Sequence, residues 1–268
     1  MTILKKTWLQ SMALLGALAA GMLSLGAADG VPLKVGDKAP KLQVAKWVQG
    51  EPVKEFKKGT AYIVEFWATW CGPCRATIPH LNELHTQFKD KGLVVIGQNV
   101  WERDEAKVAP FVKQMGDKMT YRVAMDDKTS EEKGAMAVHW MEAAGQNGIP
   151  AAFVVNKEGT VAWIGHPGTL QAKTLEQVLD GSYDIKKAAA AQAEETKREA
   201  AAMKNQRAFA TAMRAKKWDD AEAAAKAMAE ESGRQDMLPM LLAQIAMGRE
   251  DFKAAFKHFE AFADKNTD

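Results

Sequence analysis

Cysteine is scarce in this chain, which has only Cys71 and Cys74 among its 268 residues. One pair cannot form a framework of structural disulfides, and the loop that it closes is too short to stabilise a fold by cross-linking. A structural zinc site would need two further ligands, and the five histidines are too scattered to supply them. The scarcity therefore indicates that the pair is kept for its reactivity, as a Cys71–Cys74 disulfide that works with no metal and no other cofactor.

Charge of one sign is also lacking. The formal net charge is only +2, and no basic cluster alternates with aromatic residues. Proteins that bind nucleic acid normally show such a cluster on one face. We therefore expect no nucleic-acid partner.

Long apolar runs are absent except at the N-terminus. An uncharged run over 8–25 follows two lysines and ends in small residues up to Ala28. This order is typical of a secretory signal peptide, and we predict one over 1–28 with cleavage after Ala28. The protein would then be exported to the periplasm or another extracytoplasmic compartment. An uncleaved anchor is the alternative, because the run is about as long as the shortest membrane span.

Residues 29–184 alternate strand and helix patterns. Nearly continuous apolar runs at 61–68 and 93–97 predict strands covered on both faces, with a helix over 77–89 between them. The later patterns predict a helix over 103–115 with Ala106 inward, a strand over 120–125, a helix over 130–144, a hairpin over 151–164 and a helix over 170–179. Together with a short strand at 42–48, they predict an α/β domain with a mixed sheet.

Residues 185–268 change in composition, since they are rich in alanine, lysine, glutamate and methionine. They predict an all-α extension. Trp218-Asp219-Asp220-Ala221 recurs 34 residues later as Phe252-Lys253-Ala254-Ala255, which is the period of tetratricopeptide repeats. We predict a TPR-like helical domain that can hold a protein partner. A generic bundle of helical hairpins is the alternative.

The position of the cysteines predicts their roles. An apolar strand leads into Trp70-Cys71-Gly72-Pro73-Cys74, and a helix follows. A cysteine at a helix N-terminus lies beside unpaired N–H groups and the positive end of the helix dipole, which favours its thiolate. Pro73 suits the first turn, where its missing N–H is no loss. We predict that Cys71 attacks a substrate disulfide and that Cys74, one turn further in, resolves the mixed disulfide.

Glu65 is the candidate proton partner of the pair. It lies in the middle of the strand that precedes Cys71, where both faces of the sheet should be covered. A buried carboxyl group has a raised pKa and can exchange a proton with Cys74 during resolution. The alternative is a glutamate near the strand end that reaches solvent.

The run from Glu65 to Cys74, together with Pro79 and Gly148-Ile149-Pro150, resembles thioredoxin. The segment 35–40, Val-Gly-Asp-Lys-Ala-Pro, and the extra helix and strand within 101–144 resemble the exported TlpA/ResA-like thiol–disulfide oxidoreductases. The resemblance covers roughly residues 31–182. It implies a thioredoxin-like sheet with an inserted helix and strand.

The resemblance also implies roles for the residues around the disulfide. Pro150 would be a cis-proline facing it, and the backbone of Ile149 would pair with an extended substrate segment. Trp70 would shield the thiols on their exposed side, with Gly72 and Pro73 completing the surface that substrates meet.

Two positions depart from the family pattern. Thioredoxin has an aspartate where Glu65 stands, and Thr77 replaces a glutamate that some relatives carry three residues after the second cysteine.

The dipeptide between the cysteines, Gly72-Pro73, resembles that of reducing thioredoxins. We therefore predict a reductase of protein disulfides that is recharged by a membrane thiol electron donor. The alternatives are a disulfide oxidase or isomerase, and a scaffold protein whose helical repeats carry the main function.

Overall fold

A computed structural model describes residues 32–264 of the chain. The predicted signal peptide lies outside the described residues. Between residues 32 and 264, no helix combines the length and the apolar character that a membrane span needs. The described chain forms a layered unit built on a mixed six-stranded sheet, followed by four α-helices.

The sheet has the strand order β1-β4-β3-β2-β5-β6. Strands β2, β3 and β4 run parallel to one another, whereas β1 pairs antiparallel with β4, and β5 pairs antiparallel with both β2 and β6. The strands are β1 Val44–Gln49, β2 Ala61–Trp67, β3 Leu93–Asn99, β4 Arg122–Asp126, β5 Ala151–Val155 and β6 Val161–Gly165. Each was predicted from the sequence, with ends that differ by one or two residues.

Seven α-helices accompany these strands in the described part of the chain. They are α1 Gly72–Phe88, α2 Val108–Met115, α3 Ala172–Asp180, α4 Ile185–Arg214, α5 Trp218–Glu231, α6 Leu238–Gly248 and α7 Phe252–Asp264. The helix predicted over 130–144 is present as a π-helical segment, Ala137–Glu142.

Strand β2 lies near the centre of the sheet, and all of its residues are buried. Ile63 and Trp67 face a core shared with α1 and α3, and Val64 and Phe66 face a second core that includes Trp140 of the π-helical segment. This burial on both faces explains why the strand reads as a nearly continuous apolar run.

The helix predicted over 103–115 starts later than expected. Asp104 caps a single 3-10 turn, accepting the N–H of Ala106 at 3.1 Å, and the α-helix begins only at Val108. Ala106 is exposed there, so its predicted inward position was wrong. The short-range cap turns the chain before the helical periodicity begins.

The 34-residue repeat appears in the backbone of the helical extension. Lys216 and Glu250 occupy the same turn position with φ of 55° and 65°. The next residue of each turn donates its N–H back to an alanine, as Lys217 to Ala212 and Asp251 to Ala246, both at 2.9 Å. Helices α5 and α7 then begin at equivalent positions. The predicted all-helical extension is therefore confirmed, with its two turns built alike.

The extension touches the layered unit at its start and then forms a core of its own. Gln192 of α4 accepts the backbone N–H of Val35 at 2.9 Å, and Ile185 packs against the core of α1. Beyond that point the helices bury a separate cluster that includes Phe209, Ala225 and Ile245, with Trp218 packed against it.

We predict that Trp218→Ala destabilises the helical extension by about 2 kcal/mol, because a half-buried ring is lost from its small core. Chemical denaturation followed by far-UV circular dichroism measures the change. Met203→Ala is the matched control, since Met203 is exposed on α4.

The same Trp218→Ala protein should keep the rate of disulfide exchange expected of its cysteine pair if 29–184 and 185–268 are separate domains. A parallel loss of stability and exchange rate would contradict that division.

Candidate redox site

The site forms where β2 ends. The chain leaves the sheet after Trp67, and Cys71 becomes the N-cap of α1, with its Sγ accepting the N–H of Cys74 at 3.1 Å. The two cysteines form a disulfide. Cys71 keeps a small exposed fraction of 4%, whereas Cys74 has none. The outer sulfur is therefore the one that a substrate can reach.

The surface around the disulfide is formed by the residues of the motif. Gly72 and Pro73 are exposed in the first turn of α1. Trp70 is 43% exposed, and its indole N–H donates to the Trp101 carbonyl oxygen at 3.0 Å. The Arg103 guanidinium lies 4.7 Å from the centre of the Trp70 ring. These two contacts hold Trp70 in place at the edge of the site, beside the disulfide.

The Ile149–Pro150 segment meets the disulfide from a distant part of the chain. Its peptide bond is cis, and the Ile149 carbonyl oxygen lies 3.7 Å from Cys71 Sγ. Both residues are half-buried. The structure thus brings together the two segments that the sequence singled out.

Glu65 is completely buried in the centre of the sheet. It lies two residues from both Ile63 and Trp67, so its side chain points to the same face of the sheet as theirs, the face against which Cys74 packs. Neither of its carboxylate oxygens has a hydrogen-bond partner among the described residues. Burial raises the pKa of Glu65 well above its ordinary value. The carboxyl group therefore keeps its proton to a higher pH than an exposed glutamate does.

The environment of Glu65 contains aromatic groups that sequence reasoning missed. Its register neighbour on β3 is Gly97, and a Cβ there would lie 3.0 Å from the Tyr121 ring and 3.1 Å from the Trp67 indole nitrogen. Burial, and then the charge of Glu65, raises the pKa of Tyr121. Glycine at position 97 thus makes room for two polar aromatic rings beside the buried carboxyl group.

Glu102 is a second residue that sequence reasoning missed. Its carboxylate accepts hydrogen bonds from the backbone and hydroxyl of Thr69 at 2.8 and 2.9 Å, and from Asn99 at 3.1 Å. Burial alone would raise the pKa of Glu102, but these bonds and one from the Arg103 N–H outweigh it and hold the pKa below its ordinary value. Glu102 therefore ties the segment before Cys71 to the end of β3. Its position just after a strand parallel to β2 was the available clue.

An open groove of about 590 Å³ runs beside Trp70. It is lined in part by Thr69, Trp70, Arg103, Lys107, Pro110 and Phe111. Its apolar floor and charged edges suit an extended polypeptide segment.

Three further polar side chains of α1 lie near the cysteines, and each contacts a group other than the two sulfurs. Arg75 places its guanidinium 5.8 Å from the centre of the Phe111 ring, and His80 Nε2 lies 2.9 Å from the Leu170 carbonyl oxygen. Thr77 donates its hydroxyl to the Cys74 carbonyl oxygen at 2.9 Å. Within residues 32–264 no cluster of His, Cys, Asp and Glu could hold a metal ion.

Comparison with known proteins places the layered unit among redox proteins. The model of the AhpC/TSA family matches residues 35–164. Protein FixW of Rhizobium leguminosarum is 30% identical over 154 residues, which cover 56% of this chain and 68% of that protein. The thiol-disulfide oxidoreductase ResA of Bacillus thuringiensis (strain Al Hakam) is 33% identical over 136 residues, 50% of this chain and 70% of that protein. The thioredoxin-like protein YneN of Bacillus subtilis is 28% identical over 152 residues, 56% of this chain and 81% of that protein.

Burial of Glu65 predicts a pH-dependent gain in stability for Glu65→Gln. Above pH 4.5 the unfolded chain ionises this residue while the folded protein keeps it protonated, so wild-type stability falls as pH rises towards the raised folded pKa. The variant lacks this loss, and its advantage should grow by about 1.4 kcal/mol per pH unit within that window.

Urea unfolding of both proteins between about pH 5 and pH 7 measures this difference. Glu158→Gln, at an exposed hairpin turn, is the matched control and should show no such trend. An advantage of Glu65→Gln that stays constant with pH would argue against a protonated carboxyl group in the core.

Proposed function

The chain belongs to the thioredoxin-like thiol–disulfide oxidoreductases, and we propose that it acts outside the cytoplasm as a reductant of protein disulfides. The proposal rests above all on the surroundings of Cys71. Its sulfur lies at the N-terminus of α1 and accepts one backbone N–H, that of Cys74.

The proposed reaction is a pair of exchange steps. The Cys71 thiolate attacks one sulfur of a substrate disulfide, which breaks that bond and releases one substrate thiolate. The Cys74 thiolate then attacks Cys71 Sγ, which releases the second substrate thiol and leaves the Cys71–Cys74 disulfide. Two electrons pass from this protein to the substrate. A dithiol donor at the membrane returns them by the same exchange in reverse.

The weak stabilisation of Cys71 supports the reducing direction. A dithiol becomes strongly oxidising when its thiolate form is strongly stabilised, as by nearby positive groups. Here the dipeptide Gly72-Pro73 carries no charge, and the arginines closest in sequence, Arg75 and Arg103, lie against aromatic rings. A thiolate that depends mainly on a helix N-terminus gives up its electrons more readily.

We assign Glu65 as the group that takes the proton of Cys74 during resolution. Cys74 is fully buried and must lose its proton before it can attack. Glu65 lies on the face of the sheet against which Cys74 packs, and its carboxyl group has no hydrogen-bond partner in the described chain. A carboxyl group with a raised pKa is well matched to a thiol for this exchange.

We assign substrate binding to the rim and edge of the site. The Ile149 backbone, beside cis-Pro150, would pair with an extended substrate segment close to Cys71. Trp70 would cover the apolar side of that segment, and Gly72 and Pro73 leave space for it. The neighbouring groove would receive side chains that flank the substrate cysteine.

The cellular setting belongs to the proposal as well. The apolar run over 8–25 after two lysines supports export by a signal peptide. An exported reductase needs electrons from the membrane, since the periplasm is kept oxidising. The helical extension over 185–268 is proposed to choose or hold protein partners.

We predict that the reduction potential of the Cys71–Cys74 pair is about −270 mV, which is typical of a thioredoxin-like reductant. Equilibration with thiol redox buffers measures it. Pro73→His is the informative variant, because an imidazolium beside Cys71 would stabilise the thiolate and raise the potential.

A reduction potential of about −120 mV would instead make the protein an oxidase, and electrons would then flow from the substrate to this protein. The Cys71→Ser variant, prepared in the same way as the wild type, should not reduce insulin disulfides. Residual reduction by that variant would show that the activity does not come from the proposed cysteine.

The role of Glu65 predicts a changed pH profile. The wild-type rate of disulfide reduction should rise with pH through the raised pKa of Glu65, because only the carboxylate can accept the Cys74 proton. Glu65→Gln should lose that rise and react on the order of 100-fold more slowly near neutral pH.

Glu65→Asp is the control that keeps the carboxyl group and should retain the rise at a reduced rate. Stopped-flow measurement across pH distinguishes the three proteins. If the Glu65→Gln profile matches the wild type, Glu65 takes no part in proton transfer.

A further inference from the structure

Helix α7 presents an exposed aromatic face. Phe252, Phe256 and Phe259 are 64%, 65% and 39% exposed. Their spacing of four and three residues places them on one side of the helix. Soluble proteins rarely leave such a stripe uncovered unless it is a contact surface. We refer to these three residues as the phenylalanine face.

The equivalent face of α5, one repeat earlier, is packed at two of its three positions, and the third carries the half-buried Glu222 in place of Phe256. Phe252 and Phe259 correspond to Trp218 and Ala225 at the 34-residue period. Ala225 is fully buried. A Cβ on Gly248, at the end of α6, would lie 2.8 Å from the Trp218 ring, so α6 rests directly on this face of α5. The phenylalanine face therefore has the position at which a further helix stacks in the repeat.

The covering helix runs antiparallel in the first repeat. Arg249, at the C-terminal end of α6, forms an ion pair at 3.0 Å with Asp219, at the N-terminal start of α5. The two helices are joined by a short connection over 232–237, which also requires opposite directions. A helix that docks on α7 in the same way would run antiparallel to it.

The charges beside the phenylalanine face select a second α7 as that helix. Lys253 and Glu260 are both exposed and lie seven residues apart, on the same edge of the face. In an antiparallel pair of identical helices, Lys253 of each copy faces Glu260 of the other. A two-fold axis forms this contact twice. A parallel pair would not bring these two edges together, because each edge of one helix then meets the opposite edge of the other.

We propose that the phenylalanine face of α7 is a dimer interface in which two copies of this chain pair their α7 helices antiparallel. Phe256 of one copy packs against Phe259 of the other near the two-fold axis, and Lys253–Glu260 pairs flank them. The exposed phenylalanine surface is on the order of 300 Å² per copy, less than the roughly 800 Å² per partner of a standard interface. The dimer should therefore be reversible, with a dissociation constant on the order of micromolar or weaker.

Sedimentation of the purified protein over a wide concentration range, from about 1 µM to about 500 µM, tests the proposal. The wild type should shift from monomer to dimer. Phe256→Glu should weaken the dimer at least about 100-fold, since it places two like charges in the apolar centre. Met203→Glu, at an exposed methionine of α4, is the matched control and should behave as wild type.

Charge exchange tests the antiparallel geometry. Lys253→Glu alone and Glu260→Lys alone should each weaken the dimer by about tenfold, because each creates two like-charge contacts. The double variant restores opposite charges and should recover the wild-type constant. Circular dichroism of each variant checks that α7 is still helical.

Three results would overturn the proposal: a wild type that stays monomeric at the highest concentration, a dimer unaffected by Phe256→Glu, or single charge variants that associate like the wild type. The first of these would leave the phenylalanine face to a different protein partner. Insulin-disulfide reduction by Phe256→Glu should equal that of the wild type. The redox function and the dimer can therefore fail independently.

Discussion

The site depends on the parallel pairing of β2 with β3. Parallel strands end at the same edge of a sheet, so the ends of β2 and β3 deliver Cys71 and Glu102 to one place. The four hydrogen bonds that Glu102 accepts hold the segment before Cys71 against the end of β3. The helix that begins there then offers its N-terminal N–H groups to the sulfur. Without this pairing, neither the position of Cys71 nor the N–H groups around its sulfur would be fixed.

Burial between the paired strands is energetically unfavourable for Glu65, which lies on β2. A carboxyl group in the centre of a sheet loses its hydration, and its protein neighbours do not replace that hydration with hydrogen bonds. It therefore stays protonated to a higher pH than usual. A stable fold alone would favour an apolar residue at this position. The proposed transfer of the Cys74 proton to Glu65 would give this buried carboxyl group a use.

In the helical extension, the last helix of the repeat has an apolar face that no other described helix covers. Each helix pair covers a face of the one before it, as α6 covers α5 through Gly248 and Trp218. After α7 the described chain offers no further helix, and phenylalanines stand where α5 has Trp218 and a buried alanine. Such an aromatic face is suited to contact with a further helix, and the proposed dimer would supply one. The redox site and this face therefore lie on structurally distinct parts of one chain.

Sequence alone determined the features that local patterns encode. The apolar strand, the Cys71–Cys74 spacing, the mixed α/β order and the 34-residue period could all be predicted, because each depends on neighbours a few residues apart or on a fixed repeat. Tertiary structure decided the rest. Tyr121 and Gly97 join the site through strand pairing between distant segments, and no local pattern marks them, whereas Glu102 was marked only by its position after a strand. Ala106 was misplaced because a cap at Asp104 turns the chain before the helix starts. The exposure of Phe252 could not be predicted either, since a phenylalanine at helical spacing normally lies in a core, and only the packing of whole helices shows which face remains uncovered.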